Sequence, residues 1–395
     1  MTTQQAQTQQ RQFYLFVCSH SFVIGIFPFF LPVYLYKQGL DMAEISLFIA
    51  LSAITFSISM YCWDALKSKL TPRQLLIICY ALELLMIFSF VAIDDRISQS
   101  HNLSYFIGAS YGLYQCFFWT TQRALFIQRS DSNNTGNRYG NFQIFVVVFL
   151  KAGVFIGGLL LDKENVYLLF LVSFVTVVIG IVAMFKIPGE LHWPFLQWPR
   201  VSLKEIYSFK DKYRSKEIFA LDGFFLFLES FFWLLSLFLI LKQSFMQLGL
   251  MIIAITITLS LVFLVLKSKI DKLPEQSVYI ASVIGYGVSW ILRAYLDDEL
   301  SLYSQFIFLC LIAFLTALFR LAFNKRYYDL AVHYPNTPYV LMKSYYSQAA
   351  LALFFIALSF VFNYQDTLTS LNTGYWLALL LTPLYFIYKT RLAKT

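Results

Sequence analysis

The chain has 395 residues, of which 59% are hydrophobic, 19% aromatic and only 13% charged. A soluble domain carries about 25% charged residues, so a surface this poor in charge must face lipid. The formal net charge of +8 would suit nucleic acid, but the placement of the basic residues, given below, excludes that partner.

Residues 1–12, MTTQQAQTQQRQ, are polar and Gln-rich and are expected to form a disordered cytoplasmic tail. The apolar run after them is too long for a signal-peptide core and has no small-residue cleavage site. A helix crossing ~30 Å of hydrocarbon needs about 20 mostly apolar residues. That window predicts twelve spans, at 13–36, 44–64, 73–93, 103–128, 140–161, 165–186, 218–241, 246–266, 276–296, 301–324, 338–363 and 372–388. The fold class is therefore an all-α membrane protein. Residues 187–217 divide the spans into an N-terminal six-helix bundle, 13–186, and a C-terminal one, 218–388, with a tail at 389–395. The divider, HWPFLQWPRVSLKEIYSFKDKYRSKE, is basic and aromatic. From Ser202 its apolar Leu203, Ile206, Tyr207 and Phe209 alternate with Lys204, Lys210 and Lys212. It reads either as an amphipathic helix on anionic headgroups or as a solvated cytoplasmic linker. Cys18, Cys62, Cys79, Cys116 and Cys310 lie in apolar runs with no close pair, which is neither a metal spacing nor a disulfide framework.

Lys and Arg set the orientation. With both termini cytoplasmic, Lys37, Arg96, Lys163, Lys242 and Arg293 fall outside. Arg123, Lys151, Arg320 and Lys343 fall within spans, and the other 21 of the 30 lie inside the cell. Acidic Asp94, Asp95, Asp162, Glu164, Asp297, Asp298 and Glu299 gather at outer ends. The basic charge is thus a topology signal.

The tetrapeptide Leu-Lys-Ser-Lys ends the second span of each half, at 66–69 and again at 266–269, and each copy has Ala-Ile-Thr upstream. This predicts an internal repeat of six plus six helices, with parallel halves related by an axis along the membrane normal. Twelve spans in that arrangement, with a basic central loop, resemble the major facilitator superfamily. The family's Gly-x3-Asp-Arg-x-Gly-Arg-Arg loop between spans two and three is represented by SKLTPRQLL, with Ser68 in place of the Asp and with Lys69 and Arg73 basic. Asp64 is the nearest acid. The resemblance implies that Asp64, Lys69 and Arg73 form a cytoplasmic gate. In span five Gly140, Gly153, Gly157 and Gly158 resemble the glycine pattern of the family's antiporters, while Phe149 and Val154 depart from it. Small residues at such spacing let helix backbones approach closely.

Ionisable groups within spans cost about 2.5–3.5 kcal/mol each on insertion scales and usually face a cavity or a partner. In span four Gln115, Trp119 and Arg123 share one helix face; in span seven Asp222, Glu229 and Trp233 do; in span ten Thr316, Arg320 and Asn324 do. His20 stands alone in span one. The resemblance implies that spans one, four, seven and ten line the cavity. Lys151 and Lys343 add two cations, and four cations against Asp222, Glu229 and Glu83 leave a mildly positive interior suited to a carboxylate or phosphate.

These features predict a secondary transporter in a plasma or bacterial inner membrane, working by alternating access on a small organic solute, anionic or zwitterionic. Arg123, Lys151, Arg320 and Lys343 are expected to hold its charge, with Gln115, Trp119 and Trp233 beside them. Glu229, with Asp222 and His20, is expected to carry a coupling proton. Amphiphile, drug or siderophore efflux by proton antiport is the alternative within transport. A sensor or intramembrane enzyme is the alternative outside it, but no soluble output domain and no catalytic cluster is apparent in the sequence. No metal or cofactor is expected; the partners are solute, proton and membrane lipid, and the unit is a monomer.

Overall fold

The computed structural model describes residues 3–97, 102–128, 135–186, 196, 199–270, 274–297, 299–333 and 339–388. They form twelve successive helical rods. The first comprises Thr3–Ile26, Pro28–Phe30 and Leu31–Lys37. Rods two to six are Met42–Leu66, Pro72–Ile97, Asn102–Gln128, Thr135–Asp162 and Val166–Lys186. Rods seven to eleven are Ser215–Ile240, Phe245–Ile270, Glu275–Tyr295, Leu302–His333 and Tyr339–Phe362. The twelfth is Thr367–Leu381 with a tight 3-10 continuation, Thr382–Ile387, around Pro383. Among the described residues nine helices are long and apolar enough to cross a membrane, or ten if the two halves of rod one are a single span. Rod four is long but carries many polar residues, and the regular helix of rod twelve is short.

Local sequence accounts for the departures from straight helices. Rod one bends by 42° where Pro28 and Pro32 remove backbone donors. Rod seven carries a π-turn at Leu228–Phe232, and Glu229 sits within it. Single π-turns of this kind are frequent at functional sites. Asp41 opens rod two through a reciprocal capping box with Glu44. Rod one begins at Thr3, so the N-terminal tail expected to be disordered is helical from that residue; Gln, Ala and Arg are good helix formers and extend the apolar helix behind them. Rod ten continues to His333, nine residues past its expected end.

The packing repeats with a period of six rods. Rod one packs on five and seven on eleven; two on four and eight on ten; three on six and nine on twelve. The halves meet along two seams, two against eleven and five against eight, which exchange under the same shift. Because rods alternate in direction, Thr3, Tyr388 and both Leu-Lys-Ser-Lys segments lie on one face, hereafter the terminal face. Ile179, Leu261, Leu353 and Phe360 are exposed on the outside of the bundle, as a lipid-facing surface requires.

Residues 200–206 of the segment between the halves lie against rods two and eleven. The Val201 N–H donates to Asp64 Oδ2 at 2.8 Å, the Arg200 guanidinium covers the Tyr61 ring, and the Tyr346 hydroxyl donates to the Ile206 carbonyl. Its helix Leu203–Ser208 is capped by Ser202 and Glu205 and turns Leu203 and Tyr207 outward. The earlier part of the segment, including Trp193 and Trp198, lies outside the described residues.

Candidate functional site

On the terminal-face side of the seam between the halves is a cavity of about 220 Å³. Its walls come from both halves. Trp119, Gln122 and Arg123 descend from rod four; Asp222 comes from rod seven; Arg320, Asn324, Tyr327 and Tyr328 come from rod ten; Lys343 comes from rod eleven. Helical periodicity explains the assembly. Trp119 and Arg123, one turn apart, face the same way, as do Arg320, Asn324 and Tyr327. Asp222 is seven residues into rod seven and Lys343 four into rod eleven, which at 1.5 Å per residue puts both within about 11 Å of the terminal face.

The charged groups form one network. Arg320 Nη1 donates to Asp222 Oδ1 at 2.5 Å, and Arg320 Nε donates to Glu229 Oε2 at 2.8 Å. Lys343 Nζ lies 3.0 Å from Asp222 Oδ2. Tyr385 donates to the Asp222 carboxylate at 3.2 Å, and the Tyr286 hydroxyl donates to Glu229 Oε1. The Lys343 ammonium also stands over the Phe323 and Tyr327 rings. Asp222 is fully buried, so two cations and a hydroxyl take the place of its hydration shell. Arg123 differs. It donates to Ser344 Oγ across the seam at 3.1 Å, and among the described residues no carboxylate pairs with it. Among the described residues the three cations of the wall, Arg123, Arg320 and Lys343, are matched by two carboxylates, Asp222 and Glu229, an excess of one positive charge.

The other expected site residues fall elsewhere. Lys151 does not line the cavity; its ammonium stands over Phe29, beside the bend in rod one. Gln115 is half-buried and outside the lining. Trp233 rests on the guanidinium of Arg293. Arg293 was expected at the outer flank, but it is buried: it lies between Trp233 and Trp290 and donates to Ser289 and Thr316 at 2.7 and 2.8 Å. Its long side chain turns back along the helix, where aromatic faces stabilise the cation.

His20 does not stand alone. Its Nδ1 lies 2.7 Å from Glu83 Oε2 in rod three, with both side chains wholly buried. Sequence spacing could not reveal that partner, because the two are 63 residues apart and neither has an opposite charge within a helical turn on its own rod.

The glycines of rod five meet backbone. Gly153 faces the Phe22 carbonyl, Gly157 the Ile26 carbonyl, and Gly158 the Phe245 carbonyl of the other half. The surroundings of Gly140 lie outside the described residues. At the terminal face Asp64 is buried and pairs with Lys67, one helical turn on, rather than with Lys69, which is exposed, or Arg73, which is half-buried.

A repeated pair of six-rod bundles with a polar cavity at their seam defines a class, the two-bundle membrane transport proteins. A family model described as Major Facilitator Superfamily matches residues 13–289, and the chain belongs to that superfamily. Among solved structures it is similar to the nucleoside transporter NupG, at 14% identity and a TM-score of 0.66 over 99% of this chain and 100% of that one. A point mutant of the same transporter gives 12% identity and a TM-score of 0.68, over 96% of this chain and 100% of that one. At that identity the likeness concerns the fold. No curated protein matches the chain in sequence.

Proposed function

We propose that the chain is a secondary transporter of a small organic solute bearing one acidic group, that the solute binds in the cavity between the halves, and that Glu229 carries a coupling proton. The observation that carries the solute class is Arg123: a guanidinium on the cavity wall, hydrogen-bonded to a hydroxyl, with no described carboxylate beside it. A carboxylate or phosphate entering the cavity can bind the Nε–Nη2 edge of that fork with two parallel hydrogen bonds. The volume favours a small molecule, since pockets for drug-sized ligands run to about 300–1,000 Å³, and this weighs against amphiphile efflux.

Glu229 suits the proton because it holds Arg320 from one side while Asp222 holds it from the other. Protonating Glu229 frees one edge of Arg320 for the solute and leaves Asp222 in place. The Lys and Arg bias makes the terminal face cytoplasmic, so this state has its cavity toward the cytoplasm of a plasma or bacterial inner membrane. A second reading has a specific support. The fold likeness to a nucleoside transporter, together with the flat and amide side chains Trp119, Gln122 and Asn324 on the wall, also suits an uncharged nucleoside.

Uptake and binding in proteoliposomes separate these readings. Arg123→Gln should weaken binding of acidic solutes at least tenfold and leave nucleosides unaffected. Glu229→Gln should keep binding and counterflow but lose accumulation driven by a pH gradient. Thermal stabilisation by nucleosides and by no acidic solute would overturn the acidic-solute reading, and full gradient-driven uptake by Glu229→Gln would remove it as proton carrier.

A further inference from the structure

The pair His20–Glu83 lies outside the cavity network and in the other half of the molecule. Both side chains have zero exposure, and 2.7 Å separates Nδ1 from Oε2. Tyr114 donates to the other carboxylate oxygen at 3.2 Å. The imidazole stacks on Tyr80, with ring centres 4.5 Å apart, and Tyr80 is fixed by Ser19 at 2.7 Å. Among the described residues His20 Nε2 has no hydrogen-bond partner, and Nδ1 and Oε2 approach closely without hydrogen-bond geometry.

Among the described residues the titratable groups around the pair are Cys79 and Tyr80 from rod three and Tyr114 from rod four, with Cys18 and Tyr111 beside those tyrosines; rod six brings Gly180 against Tyr80. None of them is a cation or a second carboxylate. A neutral imidazole beside a carboxylate would therefore leave an uncompensated negative charge in an apolar interior, which is a costly state. One added proton makes the pair neutral overall, as imidazolium with carboxylate or as imidazole with carboxylic acid. The proton belongs to the pair rather than to either residue.

The site is close to the cavity. Phe118 lines the cavity, and its ring centre is 4.4 Å from that of His20; Ser21 and Val17, flanking His20 on rod one, also line it. One aromatic ring thus separates the pair from the cavity. We propose that His20–Glu83 is a second proton-binding site, which takes up and gives up one proton through the Phe118 wall as the transporter cycles. Releasing the proton creates a buried charge, so the deprotonated pair should favour an arrangement in which Phe118 moves and water reaches the imidazole. The site does not depend on the acidic-solute reading or on Glu229.

Proton binding by the purified full-length protein in weakly buffered detergent, followed by a pH indicator during acid steps, tests this directly. The wild type should bind one proton per molecule more than His20→Gln/Glu83→Gln, a double variant that removes both titrating groups. Glu83→Gln alone should lose the same proton, and Glu229→Gln should retain it. Identical titration curves for wild type and double variant would overturn the proposal and leave the pair a fixed structural contact. Should the variants fail to fold, histidine labelled with ¹⁵N in the wild type reads the same event: the ring-nitrogen signals of His20 should change with pH, and constancy would equally overturn it.

Discussion

Removing the Asp222 carboxylate would strand Lys343, whose ammonium lies 3.0 Å from it, and would leave Arg320 with Glu229 alone. Breaking a buried pair by deleting one partner costs about 3–5 kcal/mol. Asp222→Asn should therefore lower the melting temperature markedly in detergent. Lys343→Met should cost less, because Arg320 and Tyr385 still hold the carboxylate. Asp222→Asn/Lys343→Met should be less destabilised than the sum of the two, as coupled residues require. Additive effects would show that Lys343 and Asp222 do not act as a pair. At this scale the sequence revealed faces but not partners. The spacing of Asp222 and Glu229, and of Thr316, Arg320 and Asn324, put each set on one helix side. The Arg320 bonds reach across 98 and 91 residues of chain, a separation over which no periodicity operates. Arg293 was misplaced for a related reason: position near a helix end suggests solvent, and only the fold shows Trp233 waiting above the guanidinium.

The rods themselves were legible because a lipid-facing helix must be apolar over a length set by the bilayer. What hydropathy cannot show is a change of helical winding, and so the π-turn holding Glu229 emerges only from the backbone, whereas Pro28 and Pro32 account for the bend of rod one. Rod pairs one–five and seven–eleven depend on glycine in the same way. A Cβ on Gly153 would strike the Phe22 carbonyl, and one on Gly223 would strike the Ser347 carbonyl. Backbone cannot step aside as a side chain can, so Gly153→Ala and Gly223→Ala should each destabilise the protein by about 1–3 kcal/mol, the usual cost of overpacking. Gly287 provides the comparison. Its added methyl would meet Leu379 and Thr382 side chains at 3.7 Å, an ordinary contact, and Gly287→Ala should melt close to wild type. Equal melting of all three variants would mean that the close backbone approach contributes nothing.

At the scale of the molecule, the six-plus-six repeat could be read from span count and the two Leu-Lys-Ser-Lys segments, but the contacts that choose one conformation could not. On the face opposite the termini the halves are shut. Phe30 packs edge-on against Phe245, and Phe48 stacks with Phe231. Asp162, at the end of rod five, accepts from Ser244 Oγ at 2.9 Å and from the backbone N–H groups of Phe245 and Met246 at 2.8 and 3.0 Å. A carboxylate from one half thus caps the first turn of a helix in the other, where free N–H groups and the helix dipole favour negative charge. Rocking the halves to open that face must break these three bonds, because Asp162 moves with rod five and the N–H groups with rod eight. Loss of a helix cap costs about 0.5–2 kcal/mol. Since about 1.4 kcal/mol is a tenfold change in an equilibrium constant, Asp162→Ala should shift the population about twofold to more than tenfold toward the state open on that face. Spin labels at Lys163 and Lys242 would report the opening as a longer distance. Labels at Lys69 and Lys325 would report closure at the terminal face as a shorter one. Movement of both pairs in opposite senses is the expected result. An unchanged distribution between Lys163 and Lys242 would mean that the Asp162 cap does not hold the halves together.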